Sequence, residues 1–344
     1  MSEDRPFNTY RTGKVLLPRS NAGVYRAWDR VRKTDVVLKF FCDDQIRAGK
    51  EEAALIQDLN KHDWRPFFLD SVAWQPQLRS NVPDLSPYCF SLEYIPGIDC
   101  HRVFDPRRLP TYLPKRVGIA LTAAVHIAAD LEVLHDNGII HRDIKPKNAL
   151  LNEDGYFQLI DFGIAHRIGN DLLEANLGTL GYAAPEQVNN DATATCIQTD
   201  HWGVGATLYR MLTGTPLINC SERELRILKS RCRDQRDFDD EYDNIRMDRT
   251  HEFDADRLKF EIPGHWGIHA SILRIMKRCL RHNPADRYTS TEELHHDLGF
   301  ALSLFEREYG LIDHRPTSKP YGKEYYKFMQ QERRRKAREK AKSQ

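Results

Sequence analysis

The chain has 344 residues, of which 40% are hydrophobic and 29% are charged, a composition typical of a soluble globular protein with about two domains or lobes. Its net charge is +1, but residues 333–342, RRRKAREKAK, carry seven basic groups and one acid, or +6, so the remainder carries about −5. Seven cysteines without a C-x-x-C pair argue against a zinc motif or a disulfide framework, and favour a reducing compartment.

Short β-branched and aromatic runs predict strands in the first part of the chain. Between residues 10 and 41 the runs VLL, VYRAW and VVLKFF are separated by turn residues. Residues 46–59 switch to the spacing of an amphipathic helix. Two further strands are expected at 67–75 and 88–95, before Pro96 interrupts the pattern.

Helical periodicity dominates the rest of the chain. A helix is predicted from Pro114 to Asn137, followed by Gly138 as a left-handed C-cap. No apolar run reaches the roughly 20 residues of a membrane helix, because the best candidate, 117–134, is interrupted by three polar residues. We therefore expect a buried core helix. Since the N-terminus is charged from its third residue, we also expect a cytoplasmic protein with no membrane partner.

Two capping boxes, Ser221-x-x-Glu224 and Ser290-x-x-Glu293, predict later helices. Residues 229–262 are crowded with charged side chains, and we expect a solvated excursion between helices rather than core, with a docking role as the alternative. All tryptophans are expected to pack in the core: Trp28, Trp64, Trp74, Trp202 and Trp266.

Strands followed by helices indicate an α+β fold with two lobes. We expect a small β-rich N-lobe with one main helix at residues 1–95 and a larger helical C-lobe at 96–310. A basic C-terminal tail follows at 311–344. This tail is either a solvated end or a contact for nucleic acid or another acidic partner.

The octapeptide HRDIKPKN concentrates polar and charged side chains in one loop, directly after an apolar pair. Eighteen residues beyond its Asp143 comes Asp161, in a DFG triplet that follows the apolar run FQLI. Two carboxylates and the amide of Asn148 are hard oxygen groups suited to Mg²⁺ and to a substrate hydroxyl. Lys145 adds a positive charge, and Lys39 ends a predicted strand ahead of a helix that carries glutamates. This set favours phosphoryl transfer, which depends on positioning and charge neutralisation.

These motifs, in this order, resemble the eukaryotic-type (Hanks-type) protein kinase family over roughly residues 10–305. HRDIKPKN matches H-R-D-L-x-x-x-N, DFG and A-P-E are intact, and VVLK matches V-A-I-K loosely. Asp200 resembles the family's aspartate in the central helix of the large lobe, and Arg287 the arginine that pairs with the A-P-E glutamate. Lys145 and the segment GTLGY resemble the serine/threonine branch. The segments DFGIA and GTLGYAAPEQ resemble those of bacterial family members more than those of animal members.

The resemblance implies a role for each catalytic position. Asp143 would be the catalytic base that receives the proton of the substrate hydroxyl, and Lys145 would steady the transferring γ-phosphate. Lys39 would grip the α- and β-phosphates while paired with Glu52 rather than with Glu51. The catalytic set implied by the family pattern is Asp143, Lys145, Lys39, Glu52 and Thr179.

The resemblance also implies a site for ATP and Mg²⁺. Asn148 and Asp161 would hold the magnesium ions. The backbone at Glu93 and Ile95 would bind adenine beside Leu92 as gatekeeper. The implied nucleotide-binding positions, including the ribose contact and the phosphate-covering loop, are Leu17, Gly23, Val24, Lys39, Glu93, Ile95, Asp99, Asn148 and Asp161.

The phosphate-covering loop departs from the family's G-x-G-x-x-G-x-V pattern. Its three glycine positions hold Leu17, Arg19 and Ala22, although glycine there lets the backbone approach phosphate closely. One alternative is therefore a pseudokinase that acts as a nucleotide-binding or scaffold module. A small-molecule kinase is a second, but it would lack the Lys145-Pro146 pair and the A-P-E segment. A kinase tethered to nucleic acid by its tail is a third. We favour ATP-dependent phosphorylation of Ser/Thr hydroxyls on protein substrates.

The activation segment generates a first prediction. Between DFG and GT the sequence IAHRIGNDLLEANL has no Ser, Thr or Tyr, and Asp171 or Glu174 can supply the negative partner that Arg142 would otherwise find in a phosphate. We predict that activity does not require phosphorylation of this segment. Mass spectrometry of active protein should find no stoichiometric phosphate at Thr179. A stoichiometric phosphate there, with inactivity in its absence, would contradict the prediction.

Overall fold

The chain divides after Pro96 into two units, Met1–Pro96 and Gly97–Gln344. The computed structural model describes residues 5–6, 9–17, 23–42, 45–62, 64, 68–73, 88–107, 114–169, 178–189, 195–218, 227, 235–258 and 266–310. Within these residues the first unit is a curled β-sheet with one main helix and the second is larger and mainly helical. The predicted α+β, two-lobed protein-kinase-like fold is confirmed. The basic tail and the capping box at Ser221 lie outside the described residues.

A six-stranded sheet forms the first unit, with strand order β1-β5-β6-β4-β3-β2. β1 runs parallel to β5 and the other neighbours are antiparallel. The strands and helix predicted from residue 10 onward are present in the described residues. The elements of this unit are β1 (Arg5–Pro6), β2 (Tyr10–Leu17), β3 (Val24–Asp29), β4 (Thr34–Phe41), α1 (Ile46–Asn60), β5 (Phe68–Ala73) and β6 (Tyr88–Glu93).

Helix α1 packs on the sheet through one apolar face. Its buried residues Ala53, Ile56 and Leu59 recur every three residues, as an amphipathic helix requires. Gly49 begins this face, and a Cβ at that position would lie only 2.8 Å from Cγ of Phe41 in β4. Glycine is therefore required for α1 to approach the strand this closely.

Four long helices build the core of the second unit. Helix α3 packs against α5 and α8, and α7 packs against both α5 and α8. The elements in chain order are β7 (Gly97–Asp99), α2 (Cys100–Val103), α3 (Pro114–Asp136), β8 (Ile139–Ile140), β9 (Ala149–Asn152), β10 (Phe157–Leu159), β11 (His166–Arg167), α4 (Pro185–Val188), α5 (Ile197–Thr213), α6 (Gln235–Glu252), α7 (Trp266–Cys279) and α8 (Thr291–Tyr309).

Helix α3 is long and apolar enough to span a membrane by length and composition, yet 94% of its most apolar window is buried in the protein. Its polar residues have partners within this core. The Asp130 carboxylate accepts hydrogen bonds from the Tyr156 hydroxyl at 2.9 Å and from the backbone N–H of Leu159 at 2.7 Å. His126 accepts from the N–H of Phe157, and Glu132 contacts Nδ1 of His295 at 3.0 Å. The predicted core helix is therefore also the support of the β9–β10 hairpin.

Two expectations from the sequence need correction. The charged segment 229–262 is not merely a solvated excursion, because Gln235–Glu252 forms helix α6 and Thr250 is fully buried. The helix was not predicted, because its residues are mostly charged and polar and no apolar face marks it in the sequence. Trp28 is 43% exposed, because it lies on the outer face of β3, whereas Trp64 and Trp202 are buried as predicted. Trp74 and the side chain of Trp266 lie outside the description.

Caps and buried ion pairs fix the ends of the second unit's helices. Ser290 accepts a hydrogen bond from the N–H of Glu293, as the capping box predicts, but the Glu293 carboxylate turns to Thr289 and Arg278 instead of to Ser290. The pair predicted between Arg287 and Glu186 is confirmed. It is bidentate, with N–O distances of 2.7 and 2.8 Å, and both side chains are buried.

This buried pair gives a prediction about stability. Glu186→Gln would leave the Arg287 guanidinium buried without a counter-charge, so we expect a loss of about 3 kcal/mol in the free energy of unfolding, measured by urea denaturation. Asp256→Asn is the matched control, because Asp256 also binds an arginine, Arg281, with both oxygens, but at the surface. Its effect should be much smaller. Equal losses in the two variants would show that burial does not decide the strength of the pair.

Candidate active site

A buried carboxylate on helix α5 shapes the HRD loop of the second unit. Both Asp200 oxygens accept backbone hydrogen bonds, from the N–H of His141 at 2.8 Å and of Arg142 at 2.7 Å. Burial alone raises the pKa of Asp200, but the hydrogen bond from His135 and the charges of His135 and His141 outweigh it, so the pKa lies below its usual value. The ionised group holds Arg142 at a φ of 67°, a left-handed conformation.

The loop presents the Asp143 carboxylate to three donors. Oδ2 accepts hydrogen bonds from Lys145 Nζ at 2.6 Å and from Asn148 Nδ2 at 2.8 Å. Oδ1 accepts from the hydroxyl of Thr179 at 2.7 Å, and Lys145 also donates to that hydroxyl at 2.6 Å. The predicted residues Asp143, Lys145, Asn148 and Thr179 therefore form one cluster. Their catalytic roles stay predictions.

Thr179 reaches this cluster because a second contact joins its segment to the HRD loop. The side chain of Gln187 in α4 donates to the backbone carbonyl of Arg142 at 2.9 Å. Gly178 stands between the two at a φ of 68°, and a Cβ there would lie 3.0 Å from the same carbonyl. The glycine of the GTLGY motif thus meets both a conformational and a steric requirement. The contact made by Gln187 was not predicted from the sequence, because no motif marks this residue.

Asp161 lies next to Asn148 because the preceding residue is paired with it. The N–H of Ile160 donates to the carbonyl of Asn148 at 2.9 Å, and Asp161 itself has a φ of 69°. Phe162 is buried with its ring centre 5.2 Å from that of His141. The Asn148 amide nitrogen already donates to Asp143, so its amide oxygen is the atom available as a metal ligand.

This donor set fits magnesium. An amide oxygen and a carboxylate are hard ligands, and Mg²⁺ in proteins commonly takes one or two such groups and completes its shell with water and phosphate. Among the described residues, no group of three or more His, Cys, Asp or Glu side chains could hold a metal ion. Asn148 and Asp161 supply an amide oxygen and a carboxylate, and they are the candidates that the family resemblance implies.

In the first unit, Lys39 and Glu52 form a buried ion pair. Lys39 Nζ lies 2.6 Å from Glu52 Oε1, and the side chains are 8% and 3% exposed. Glu51, the alternative partner, instead pairs with Arg47 at the surface of the same helix. The pair connects strand β4 with helix α1, and thereby gives the ammonium group one fixed position.

The remaining candidate positions of the first unit lie on or beside its strands. Leu17 pairs with Val24 across β2 and β3, and Val24 is in turn the cross-strand neighbour of Lys39. The carbonyl of Gly23 accepts from the N–H of Phe40 at 2.9 Å. Residues 18–22, which carry two of the three substituted glycine positions, lie outside the described residues.

The predicted hinge continues strand β6. Leu92 is buried and Glu93 pairs with Val36 at the end of the strand, while Ile95 follows as a half-buried residue. Asp99, in the second unit, caps helix α2 by accepting from the N–H of Arg102 at 2.9 Å. The roles of these positions in adenine and ribose binding stay predictions.

One buried network around Asp200 was not found from the sequence. His135 contacts Asp200 at 2.8 Å through Nε2 and the hydroxyl of Thr291 at 2.6 Å through Nδ1. Nε2 of His201 contacts the same hydroxyl at 2.9 Å. These residues come from helices α3, α5 and α8, so only the packing of the helices reveals their proximity.

Comparison with known proteins agrees with this geometry. A family model described as a protein kinase domain matches residues 20–298. The putative 3-phosphoinositide-dependent protein kinase 2 of Homo sapiens is 40% identical over 94 residues, 26% of this chain and 23% of that protein. The RAC-beta serine/threonine-protein kinase of Rattus norvegicus is 28% identical over 211 residues, 59% of this chain and 38% of that protein. The chain spans less than two fifths of the length of these relatives.

The chain belongs to the protein kinase family, because the family model covers most of its length. The HRD, DFG and A-P-E motifs that carry the resemblance in the sequence all lie within the matched residues.

The network behind the HRD loop predicts a pH dependence of stability. Burial lowers the pKa of His201 to about 3, against about 6.5 in an unfolded chain. The unfolded state therefore binds more protons between these values. The contribution of His201 is complete above about pH 6.5 and is lost as the pH falls toward 3, by up to about 1.4 kcal/mol per pH unit.

We expect His201→Leu to reduce the slope of unfolding free energy against pH between these limits, measured by urea denaturation across the range. His296→Leu is the matched control, because its side chain is exposed. The His296→Leu variant should show the same slope of unfolding free energy against pH as wild type. A slope that is identical in wild type and His201→Leu would show that His201 is not the titrating group.

Proposed function

We propose that the chain is an ATP-dependent serine/threonine protein kinase, which transfers the γ-phosphoryl group of ATP to hydroxyl groups on protein substrates. The observation that carries the proposal is the arrangement of donors around Asp143. Among the described residues, Oδ2 receives two hydrogen bonds and Oδ1 only one. A carboxylate oxygen accepts two, so Oδ1 keeps a lone pair for the proton of a substrate hydroxyl.

The neighbours of Asp143 are suited to the charge changes of this reaction. Lys145 contacts both the carboxylate and the Thr179 hydroxyl, so its ammonium is held where negative charge develops on the transferred group. Thr179 links the base to the segment ahead of A-P-E, where a protein substrate would lie according to the family resemblance. When bound, Mg²⁺ neutralises phosphate charge. Asn148 and Asp161 would hold it.

Lys39 supplies the nucleotide contact of the first unit. Its ammonium is buried, and an interaction with phosphate oxygens is stronger in such a place than in water. Glu52 fixes the position of this ammonium group. The serine/threonine preference is supported by similarity to RAC-beta serine/threonine-protein kinase and by Lys145 and the GTLGY segment in the sequence.

Three further parts of the proposal rest on the sequence alone. These are a cytoplasmic location, a likeness to bacterial rather than animal members, and contact of the basic tail with nucleic acid or another acidic partner. The pseudokinase alternative rests on Leu17, Arg19 and Ala22 at the glycine positions of the phosphate-covering loop. Turnover of ATP decides between a kinase and a pseudokinase.

The proposal predicts transfer of label from γ-labelled ATP to protein, followed in a time course with purified chain. Asp143→Asn should lower the rate by about 10²–10⁴-fold, because it removes the proton acceptor. Asp161→Asn and Lys39→Met should also abolish most of the transfer. Hydrolysis of the labelled product, with identification of phosphoserine or phosphothreonine, tests the hydroxyl preference.

The adjacent glutamates of α1 provide the matched control. Glu52→Gln should impair transfer because it releases Lys39, whereas Glu51→Gln should leave the rate close to wild type because Glu51 is exposed and pairs with exposed Arg47. Nucleotide binding with no transfer by wild type, at any magnesium concentration, would reject the kinase in favour of the pseudokinase.

A further inference from the structure

Gln187 in α4 is a buried glutamine whose side chain joins the HRD loop to its own helix. Its amide nitrogen donates to the carbonyl of Arg142 at 2.9 Å, and its amide oxygen accepts from the N–H of Ala184 at 3.1 Å. The residue is 4% exposed. A glutamine amide offers donors on one atom and an acceptor on the other. Both atoms are used here, so the side chain is held in one orientation.

The Arg142 carbonyl belongs to the peptide group that joins Arg142 to Asp143. The N–H of the same peptide group donates to Nδ1 of His141 at 3.3 Å. The preceding N–H, that of Arg142, donates to Asp200 at 2.7 Å. Because a peptide group is planar, these contacts orient the backbone on both sides of Arg142, which has a φ of 67°. Gln187 therefore acts on the backbone of Asp143 itself.

Helix α4 is anchored to the core of the second unit on another side. Glu186, which precedes Gln187, forms the buried bidentate pair with Arg287. The same carboxylate also accepts a hydrogen bond from the hydroxyl of Thr199 at 2.9 Å. Gln187 thus projects toward the HRD loop from a helix that a buried ion pair and a hydrogen bond hold in place.

Gly178 and Thr179 pass directly beside the contact between Gln187 and the loop. A Cβ on Gly178 would lie 3.0 Å from the Arg142 carbonyl oxygen and 3.0 Å from Nε2 of Gln187. The hydroxyl of the next residue, Thr179, donates to Asp143 at 2.7 Å. Two side chains therefore connect the segment ahead of A-P-E and α4 with the loop that carries Asp143.

We propose that Gln187 is a positioning residue for phosphoryl transfer, and that its side-chain amide sets the orientation of the Arg142–Asp143 peptide group and thereby the place of the Asp143 carboxylate. The inference rests on the proposed kinase function, because Asp143 is the base of that reaction. The link consists of uncharged amide groups, so it needs no phosphate on the segment. The position requires a donor toward a buried carbonyl, and a side chain of the same size without one does not meet this requirement.

Gln187→Met tests the need for the hydrogen bonds, because methionine has a similar length but lacks the amide. We expect kcat for transfer of label from γ-labelled ATP to fall by about 10²-fold, as a small displacement of a catalytic group can cause. KM for ATP should change little, because the first unit with Lys39 is not altered. Rates are expressed per folded molecule, with the folded fraction measured by circular dichroism in the same buffers, so that a loss of stability is not counted as a loss of activity.

Gln187→Glu should give a pH profile that a loss of stability alone does not produce. An ionised carboxylate only accepts hydrogen bonds and would repel the Arg142 carbonyl, whereas a protonated carboxyl group donates one and accepts another, as glutamine does. Burial favours this neutral form. The ratio of the variant's rate to the wild-type rate should therefore rise as the pH falls, by up to about tenfold per pH unit above the pKa of the new carboxyl group. The ratio for Gln187→Met should not change with pH.

Gln198 in α5 provides the matched control. Its side-chain nitrogen also donates to a backbone carbonyl, that of Tyr288 at 3.4 Å, and the residue is half-buried. This contact is to the residues ahead of α8 rather than to the HRD loop. Gln198→Glu makes the same change in charge, and the ratio of its rate to the wild-type rate should stay close to one at every pH.

Hydrogen exchange followed by mass spectrometry reports on the loop without turnover. In Gln187→Met the backbone amides of residues 141–143 should exchange about tenfold faster than in wild type, because the loop has lost the donor to the Arg142 carbonyl. The amides of helix α7 should exchange as in wild type.

The outcomes separate this inference from the proposed function. Wild-type rates and wild-type exchange in Gln187→Met would overturn it, as would a reduced rate of Gln187→Glu whose ratio to wild type is constant with pH. Faster exchange of residues 141–143 in both Gln187 variants, with no transfer of label by wild type, would support Gln187 as the residue that orients the loop while rejecting the kinase.

Discussion

The Asp200 carboxylate is the constraint on which the described part of the active site depends. A buried carboxylate is tolerated only where donors surround it, and here two of those donors are consecutive backbone amides of the HRD loop. If the loop changed conformation, the buried Asp200 carboxylate would lose these hydrogen-bond donors. Its unusual dihedral angle at Arg142 is therefore held by electrostatics rather than by local preference. Asp143 directly follows Arg142, so its position depends on this arrangement.

The same principle recurs where the other motifs meet the loop. Gln187 satisfies the carbonyl of Arg142, and Ile160 satisfies the carbonyl of Asn148. The segments around A-P-E and DFG thus each donate a hydrogen bond to a backbone carbonyl of the HRD loop. Because these backbone groups are satisfied by residues of other motifs, substitution of one motif is expected to disturb the others. The buried Glu186–Arg287 pair connects α4 with the residues ahead of α8 in a similar way.

Much of the fold could be predicted because periodicity and caps are local signals. Helix α1, helix α3 and the strands from residue 10 to 41 follow from spacing alone. Helix α6 was missed, because a helix whose residues are mostly charged gives little hydrophobic pattern. Trp28 was misplaced because residue type does not reveal which face of a strand meets solvent.

The candidate site divides in the same way. Residues within contiguous motifs, such as Asp143, Lys145 and Asn148, are visible in the sequence because their spacing along the chain reflects their chemistry. The His135–Thr291–His201 network is not, since its members are separated by up to 156 residues and meet only through helix packing.

The contact between Gly49 and the ring of Phe41 also limits how α1 can move. Gly49 lets α1 rest on the ring of Phe41, because glycine has no side chain to collide with it. A shift of the helix by one residue along the strand, in either direction, would bring the side chain of Ala48 or Lys50 toward the ring. The contact thus opposes sliding of α1 along the strand, and it supports the position of the helix in which Glu52 meets Lys39.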